Sequence, residues 1–121
     1  MTIDLQLLAR HLRSLDVDEL GVHLPAGPAR DEVLRACRDA GKAVVAVDMS
    51  PEVVITADGA LIDGVVRPLK EEVDALVPDA RIVIVLRLVG DAPLAPTFDA
   101  YLDVEMLEGR DVWLDDLVTA D

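Results

Sequence analysis

The sequence is poor in the side chains that carry out most enzyme chemistry. It contains one cysteine, two serines, two histidines and no asparagine. Because Cys37 is alone, no internal disulfide can form, which excludes the disulfide-stapled class of small secreted domain. With so few nucleophiles and bases, the sequence has almost no candidate residues for the catalytic triad of a serine or cysteine hydrolase. Cys37 falls on the apolar face of a predicted helix, where we expect it to pack.

Aromatic and basic residues are scarce as well. Phe98, Tyr101 and Trp113 are the three aromatic residues, so the core must be aliphatic and no platform exists for stacking nucleic-acid bases. Only 11 basic residues face 24 acidic ones, which gives a net charge of -13. That charge repels nucleic-acid phosphates and anionic membrane surfaces. We therefore expect neither a nucleic-acid partner nor a membrane partner.

Long apolar runs and a secretory leader pattern are missing too, so we expect a cytoplasmic protein. What the sequence does have is a hydrophobic content of 52% and a mean hydropathy of +0.34, which indicate a folded chain rather than a disordered one. A chain of 121 residues is long enough to bury a core. We predict a single domain spanning residues 1–121.

The negative charge comes mainly from aspartate. Aspartate accounts for 17 of the 24 acidic residues, whereas lysine accounts for only 2 of the 11 basic ones. A well-hydrated, aspartate-rich surface suits a protein that stays soluble at high salt, where screening removes self-repulsion. The same composition also arises from a GC-rich genome. Both explanations stay open, and neither names a function.

The first half of the chain predicts a βαβ unit that follows an amphipathic helix. Leucines at helical spacing indicate a helix over Thr2–Leu15. A short strand, Leu20–Leu24, precedes a helix that begins at Pro28 and is capped by Gly41. The wholly apolar run Ala43–Val47 then predicts a central strand, covered on both faces and parallel to the first.

The stretch from Glu52 to Val66 predicts an antiparallel hairpin. Two β-rich runs, Glu52–Ala57 and Ala60–Val66, flank the pair Asp58-Gly59, which suits a type I′ turn because both residues tolerate positive φ. Pairing Ala57 with Ala60 would give the hairpin one wholly apolar face. This pattern would also fix the register.

The second half predicts a helix over Pro68–Val77, a buried strand over Ala80–Val89 and an edge strand over Ala100–Met106. At the C-terminus, an antiparallel strand over Asp111–Leu114 followed by a helical turn competes with a short helix capped by Asp111. We favour the strand and turn. The predicted fold class is therefore α/β: a mixed, centrally parallel β-sheet with flanking helices and an antiparallel hairpin.

One candidate site follows from the expected strand ends. His23, Asp48, Ser50 and Asp91 come just after predicted parallel strands, whose carboxyl ends share one edge of the sheet. Asp48 and Asp91 would ligate Mg²⁺, and His23 and Ser50 are the further catalytic candidates for hydrolysis. The competing explanation is that aspartate and serine are ordinary turn residues in an aspartate-rich chain.

A second acidic constellation surrounds the predicted hairpin. Asp48, Asp58 and Asp63 would lie on or near adjacent antiparallel strands. This arrangement resembles the catalytic sheet of ribonuclease H-like nucleases and actin-like kinases. The sequence departs from the kinase pattern, since no glycine-rich phosphate loop follows Asp48.

Three apolar residues near the C-terminus suggest a contact surface instead. Met106, Trp113 and Leu114 would form an interface on a terminal strand, because tryptophan and methionine are enriched at interface cores. Alternatively, they complete the core. The leading hypothesis is a domain without a cofactor that acts through protein–protein contacts, as a homo-oligomer or with a protein partner. The alternative hypothesis is a Mg²⁺-dependent hydrolase or a nucleotide-binding protein.

Overall fold

The computed structural model describes residues 5–62, 65–86 and 106–118. The helices are α1 (Leu5–Arg13), α2 (Pro28–Asp39), α3 (Leu69–Leu76) and α4 (Leu114–Val118). The strands are β1 (Glu19–Val22), β2 (Ala43–Val45), β3 (Val53–Ala57), β4 (Ala60–Ile62), β5 (Val65–Arg67), β6 (Ile82–Leu86) and β7 (Asp111–Trp113). None of the helices in this part of the chain combines the length and the apolar character that a membrane span needs.

Five strands form one parallel sheet in the order β2-β1-β3-β6-β7. The α/β class and the parallel βαβ unit from β1 through α2 to β2 are confirmed. The predicted mixed sheet is wrong, because every strand of the central sheet runs in the same direction. The short strands β4 and β5 form a separate antiparallel pair.

The predicted hairpin between Glu52 and Val66 is wrong because β3 lies at the centre of the sheet. It pairs in parallel with β1 on one side and with β6 on the other. All five of its residues are buried. Val53–Ala57 is apolar on both faces apart from Thr56, so both faces can be covered by helices. That burial outweighs the local tendency of Asp58-Gly59 to reverse the chain.

The run Ala43–Val47 was expected at the sheet centre, and this expectation is also wrong. Only Ala43–Val45 is a strand, and it lies at the sheet edge beyond β1. Ala43 and Val44 are exposed. The chain then forms a short 3₁₀ helix, Val47–Met49, and Ser50 adopts a left-handed conformation. An apolar run predicts a strand, but it does not predict whether that strand lies at the centre or at the edge of the sheet.

Two aliphatic layers cover the two faces of the sheet. On one face, helices α1, α2 and α4 pack over Val53, Ile55 and Ile84. On the other face, α3 packs over Val54 and Val83. Cys37 is buried in the first layer, as expected for a packing residue, and burial raises the pKa of its thiol to about 11.

The C-terminal segment is a strand followed by a helical turn, as favoured from the sequence. The strand, β7, is parallel to β6, so its predicted antiparallel direction is wrong. Leu114 begins α4 and packs in the first core layer. The predicted edge strand Ala100–Met106 lies outside the described residues, apart from Met106.

A largely buried charge cluster joins β7 to α3. We call it the clasp and define it as Lys70, Asp74, Arg110 and Asp111. The Lys70 ammonium, which is only 2% exposed, lies 2.8 Å from the Asp74 carboxylate and 2.9 Å from that of Asp111. Arg110 lies 2.6 Å from each of the same two carboxylates. Asp111 also accepts the Leu107 N–H at 2.7 Å. The two cations and two anions balance.

Gly21 on β1 lies beneath the ring of Pro51, so we expect Gly21→Ala to destabilise the fold. A Cβ atom at this position would lie 2.8 Å from Pro51 Cγ and 3.1 Å from Val47 Cγ1. Overpacking of this kind lowers the free energy of unfolding by about 1–3 kcal/mol. Urea unfolding followed by circular dichroism measures the loss. Ala75→Ser, at an exposed site on α3, should stay within about 0.5 kcal/mol of wild type; an equal loss in both variants would contradict the close contact.

For the clasp, we expect Asp111→Asn to lower the free energy of unfolding by about 3 kcal/mol, because it leaves buried Lys70 short of negative charge. Asp111 is held ionised. Burial raises its pKa, but donation from Arg110, Lys70 and the Leu107 N–H outweighs burial and leaves the pKa below its usual value. Asp116→Asn, at an exposed position of α4, removes the same charge and serves as control. If the two variants were equally stable, the clasp would not hold β7 in place.

Candidate functional site

The sheet has a topological switch point between β1 and β3. From β1 the chain crosses through α2 to β2, and from β3 it proceeds through α3 to β6, in the opposite direction along the sheet. Right-handed crossovers in opposite directions place their helices on opposite faces. The carboxyl ends of β1 and β3 therefore border the position at which ligands bind in open α/β sheets, and we call this position the crevice.

His23 follows β1 and is fixed at this crevice by its backbone. Its N–H donates to the Ile55 carbonyl at 2.9 Å, and its own carbonyl accepts the Thr56 hydroxyl at 2.8 Å. Both partners lie on β3. The predicted position of His23 at the carboxyl edge is thus where the structure has it, and the two neighbouring strands hold it there.

The side chain of His23 is the first of three linked polar groups. Its Nε2 lies 2.8 Å from Oε1 of Glu72, in the first turn of α3. Arg67, at the end of β5, grips the same carboxylate with two donors: Nε at 3.1 Å and Nη2 at 2.6 Å. We call His23, Glu72 and Arg67 the edge triad. It joins β1, β5 and α3 at one end of the sheet.

Glu72 is the hub of the edge triad. Hydrogen bonds from Arg67 lower its pKa most; partial burial opposes that shift, and the hydrogen bond from His23 adds to it. An ionised carboxylate only accepts hydrogen bonds, so His23 Nε2 carries a proton. In the neutral imidazole the other nitrogen, Nδ1, is then the basic one. Nδ1 of the neutral ring is therefore able to accept a hydrogen bond.

Asp58 directly follows β3, at the border of the crevice. Its N–H donates to the Leu86 carbonyl at 2.9 Å, and its Oδ1 accepts the Gly59 N–H at 2.8 Å. The side chain is buried. Asp58 therefore ends a central strand and does not form the tip of a hairpin. The acidic constellation of Asp48, Asp58 and Asp63 accordingly loses its antiparallel framework, and Asp63 lies outside the described residues.

The predicted magnesium site is described only in part. Asp48, in the 3₁₀ helix after β2, shares the carboxyl edge with His23, since β1 and β2 are parallel neighbours. Both Asp48 and Ser50 are exposed. Asp91 lies outside the described residues. Across residues 5–62, 65–86 and 106–118, no group of three or more histidine, cysteine or acidic side chains is arranged to hold a metal ion. The Mg²⁺ hypothesis stays a prediction.

The three predicted interface residues have different surroundings. Leu114 is buried in the first core layer. Met106 and Trp113 are partly buried against the second core layer. Whether they also contact a partner stays a prediction.

A surface cavity of about 500 Å³ lies away from the edge triad, lined by Gln6, Ala9, Arg10, Arg13 and Asp39. Arg13 Nη2 donates to the Asp39 carbonyl at 3.2 Å, at the end of α2. This arginine therefore caps a helix. The cavity marks the groove between α1 and α2, and its chemistry does not favour it over the crevice.

Glu72 and Arg67 were missed by sequence reasoning. Glu72 is 49 residues from His23 along the chain, and the contact needs α3 folded back over β3. The spacing Arg67 to Glu72 is an available signal, because it places a base just before a helix and an acid in its first turn. Such pairs are common in helical proteins, so the signal alone names no site.

Comparison with known proteins finds this chain similar to part of an acetyl-coenzyme A synthetase and to part of an acetoacetyl-CoA synthetase. It is 33% identical, over 131 aligned residues, to an acetyl-coenzyme A synthetase of Methanothrix thermoacetophila; the match covers 92% of this chain and 18% of that enzyme. The fold is similar to part of an acetoacetyl-CoA synthetase from Streptomyces lividans, with a TM-score of 0.68 and 23% identity, over 97% of this chain and 19% of that one. No protein-family model matches the sequence.

The chain thus spans less than a fifth of the length of either relative. The similarity to the acetoacetyl-CoA synthetase concerns the fold alone. The similarity to the acetyl-coenzyme A synthetase extends over nearly all of this chain, so the chain matches one continuous part of a larger enzyme.

For the edge triad, we expect Glu72→Gln to lower the free energy of unfolding at pH 7 by about 0.5–1 kcal/mol, because it removes a partly exposed ion pair. Since the pKa of Glu72 is lowered by folding, its contribution is present above the ordinary value of 4.5 and is lost as the pH falls through the depressed value. Urea unfolding at pH 7 and in strong acid measures this.

The matched control for that experiment is Glu71→Gln, the exposed neighbour on α3. It should stay within about 0.5 kcal/mol of wild type at both pH values. If the gap between wild type and Glu72→Gln did not narrow in acid, the ion pair would not be its source.

Proposed function

We propose that this chain is one α/β domain of a coenzyme A ligase of the acyl-coenzyme A synthetase type. The observation that carries the proposal is the 33% identity to the Methanothrix acetyl-coenzyme A synthetase over 92% of this chain. Identity spread over nearly the whole chain supports common descent of the domain. It argues against a borrowed local motif.

In this proposal the domain works together with further polypeptide and does not complete the reaction alone. The chain has the length of less than a fifth of the relative, and it is poor in nucleophiles and bases. Both facts support a domain that contributes ligand binding and contacts within a larger protein and does not carry out the whole reaction. The predicted role through protein–protein contacts is compatible with this proposal, with the remainder of a synthetase as the partner.

We further propose that the crevice between β1 and β3 contributes to binding coenzyme A. Coenzyme A is a phosphorylated anion, and guanidinium groups bind phosphate oxygens with paired hydrogen bonds. Arg67 is the cation of the edge triad and is 46% exposed. Glu72 fixes the Arg67 guanidinium at the crevice and balances its charge. Because the whole chain also carries a net charge of -13, we expect only modest affinity for the anionic coenzyme A.

Titration of the 121-residue chain with coenzyme A, followed by NMR, tests this role. We expect shifts of the backbone amides of His23, Thr56 and Asp58, which border the crevice. Arg67→Gln should weaken binding about tenfold, the size expected for losing a hydrogen bond between charged groups. Pantetheine, which carries the thiol arm without phosphates, should bind Arg67→Gln and wild type equally.

Arg81→Gln is the matched control. Arg81 is 47% exposed and pairs with Asp16 at 2.7 Å, but it precedes β6 at the opposite end of the sheet. Its loss should leave binding of coenzyme A within about twofold of wild type, because screening weakens distant surface charges. If Arg67→Gln and Arg81→Gln weakened coenzyme A binding equally, the loss would come from the change of net charge and not from a specific contact with Arg67. No shift at millimolar coenzyme A would remove the crevice from the proposal.

A further inference from the structure

The cavity between α1 and α2 is lined mainly by hydrogen-bond donors. Its volume is about 500 Å³, and its lining residues are Gln6, Ala9, Arg10, Arg13 and Asp39. Gln6, Arg10 and Arg13 follow helical spacing, so they lie on one face of α1. Helix α1 itself contains no acidic residue. The lining therefore combines one amide and two guanidinium groups with a single carboxylate.

The two arginines of this cavity are not paired with an acid in the described part of the chain. Across residues 5–62, 65–86 and 106–118, no carboxylate forms an ion pair with Arg10 or Arg13. Other cations do form such pairs, namely Arg67, Lys70, Arg81 and Arg110. Arg13 donates through Nη2 to the Asp39 carbonyl at 3.2 Å, which anchors its guanidinium and leaves its other N–H groups for further acceptors. The cavity thus presents charged donors that have no counterion.

We propose that this cavity binds the phosphate group of a small phosphate monoester. Such a group carries about two negative charges at neutral pH and three acceptor oxygens. Guanidinium groups bind phosphate oxygens with paired hydrogen bonds, so Arg10 and Arg13 together match its charge, and the Gln6 amide adds a neutral donor. The volume lies within the roughly 300–1,000 Å³ of sites for small organic ligands. It therefore has room for an ester that is larger than a free phosphate ion.

Asp39 limits the affinity of this site. Its exposed side chain lines the cavity, where it offsets one of the two arginines and repels an anion. The other acids of α2, Asp31 and Glu32, lie roughly 10 Å or more from Asp39 along the helix axis. Charges at that distance are largely screened at physiological salt, so the net charge of -13 acts only weakly here. We expect a dissociation constant on the order of 1 mM.

Titration of the 121-residue chain with glycerol 3-phosphate, followed by NMR at constant ionic strength, tests the proposal. We expect saturable shifts of the backbone amides of Ala9, Arg10 and Arg13. Arg10→Gln should weaken binding about tenfold, because it removes a hydrogen bond between charged groups. Asp39→Asn should tighten binding about threefold or more, because it removes the repelling carboxylate and leaves the carbonyl that anchors Arg13.

The matched controls are Arg30→Gln and Asp31→Asn, which make the same changes of charge near the start of α2, outside the cavity. Each should stay within about twofold of wild type. Two further ligands identify the source of the phosphate. Glycerol, which has no phosphate, should not bind. Inorganic phosphate should bind more weakly than glycerol 3-phosphate, because it leaves most of the cavity unfilled.

The proposal does not rest on the role of the crevice in binding coenzyme A, and the two sites have separate amide signals. Shifts confined to the crevice amides of His23 and Thr56 would overturn it, as would no shift in α1 at about 20 mM glycerol 3-phosphate, well above the expected dissociation constant. Equal weakening by Arg10→Gln and Arg30→Gln would trace the loss to net charge and also overturn it. Inorganic phosphate that bound as tightly as the ester would overturn the ester as the ligand.

Discussion

The burial of β3 on both faces is the constraint on which the rest of the structure depends. A strand of Val53–Ala57 with one hydroxyl and no charge is stable only where helices cover both of its faces. That requirement brings α1, α2 and α4 to one face and α3 to the other. It also forces the chain to leave β1 and β3 in opposite directions along the sheet. The switch point, and with it the crevice, follows from the apolar character of five residues.

Charged groups fix the position of α3 relative to the strands, which contacts between aliphatic side chains alone do not fix. Contacts between valine, leucine and isoleucine stabilise burial without fixing orientation. Helix α3 is instead attached at two points: Lys70 and Asp74 hold it to β7 through the clasp, and Glu72 holds it to β1 through the edge triad. Lys70 and Asp111 of the clasp are buried, and their pairing with each other and with Asp74 and Arg110 offsets the cost of removing their charges from water.

The sequence predicted those elements whose formation depends on local pattern. Helix α2 follows from Pro28 and its apolar stripe, and β1, α3 and β6 follow from their periodicity and turn residues. It failed where long-range contacts decide. The pair Asp58-Gly59 favours a turn locally, but burial of β3 between β1 and β6 prevails. For the site, a strand end located His23, whereas Glu72 and Arg67 required knowing how α3 folds back over the sheet.

The two edges of the sheet differ in the groups that they present. At one edge β7 is fastened by the clasp, whereas at the other edge β2 presents an uncharged backbone. The crevice lies between β1 and β3, one strand inward from β2. Both strands that border the crevice have a neighbouring strand on each side, so the geometry of the edge triad depends on the centre of the sheet and not on either of its edges.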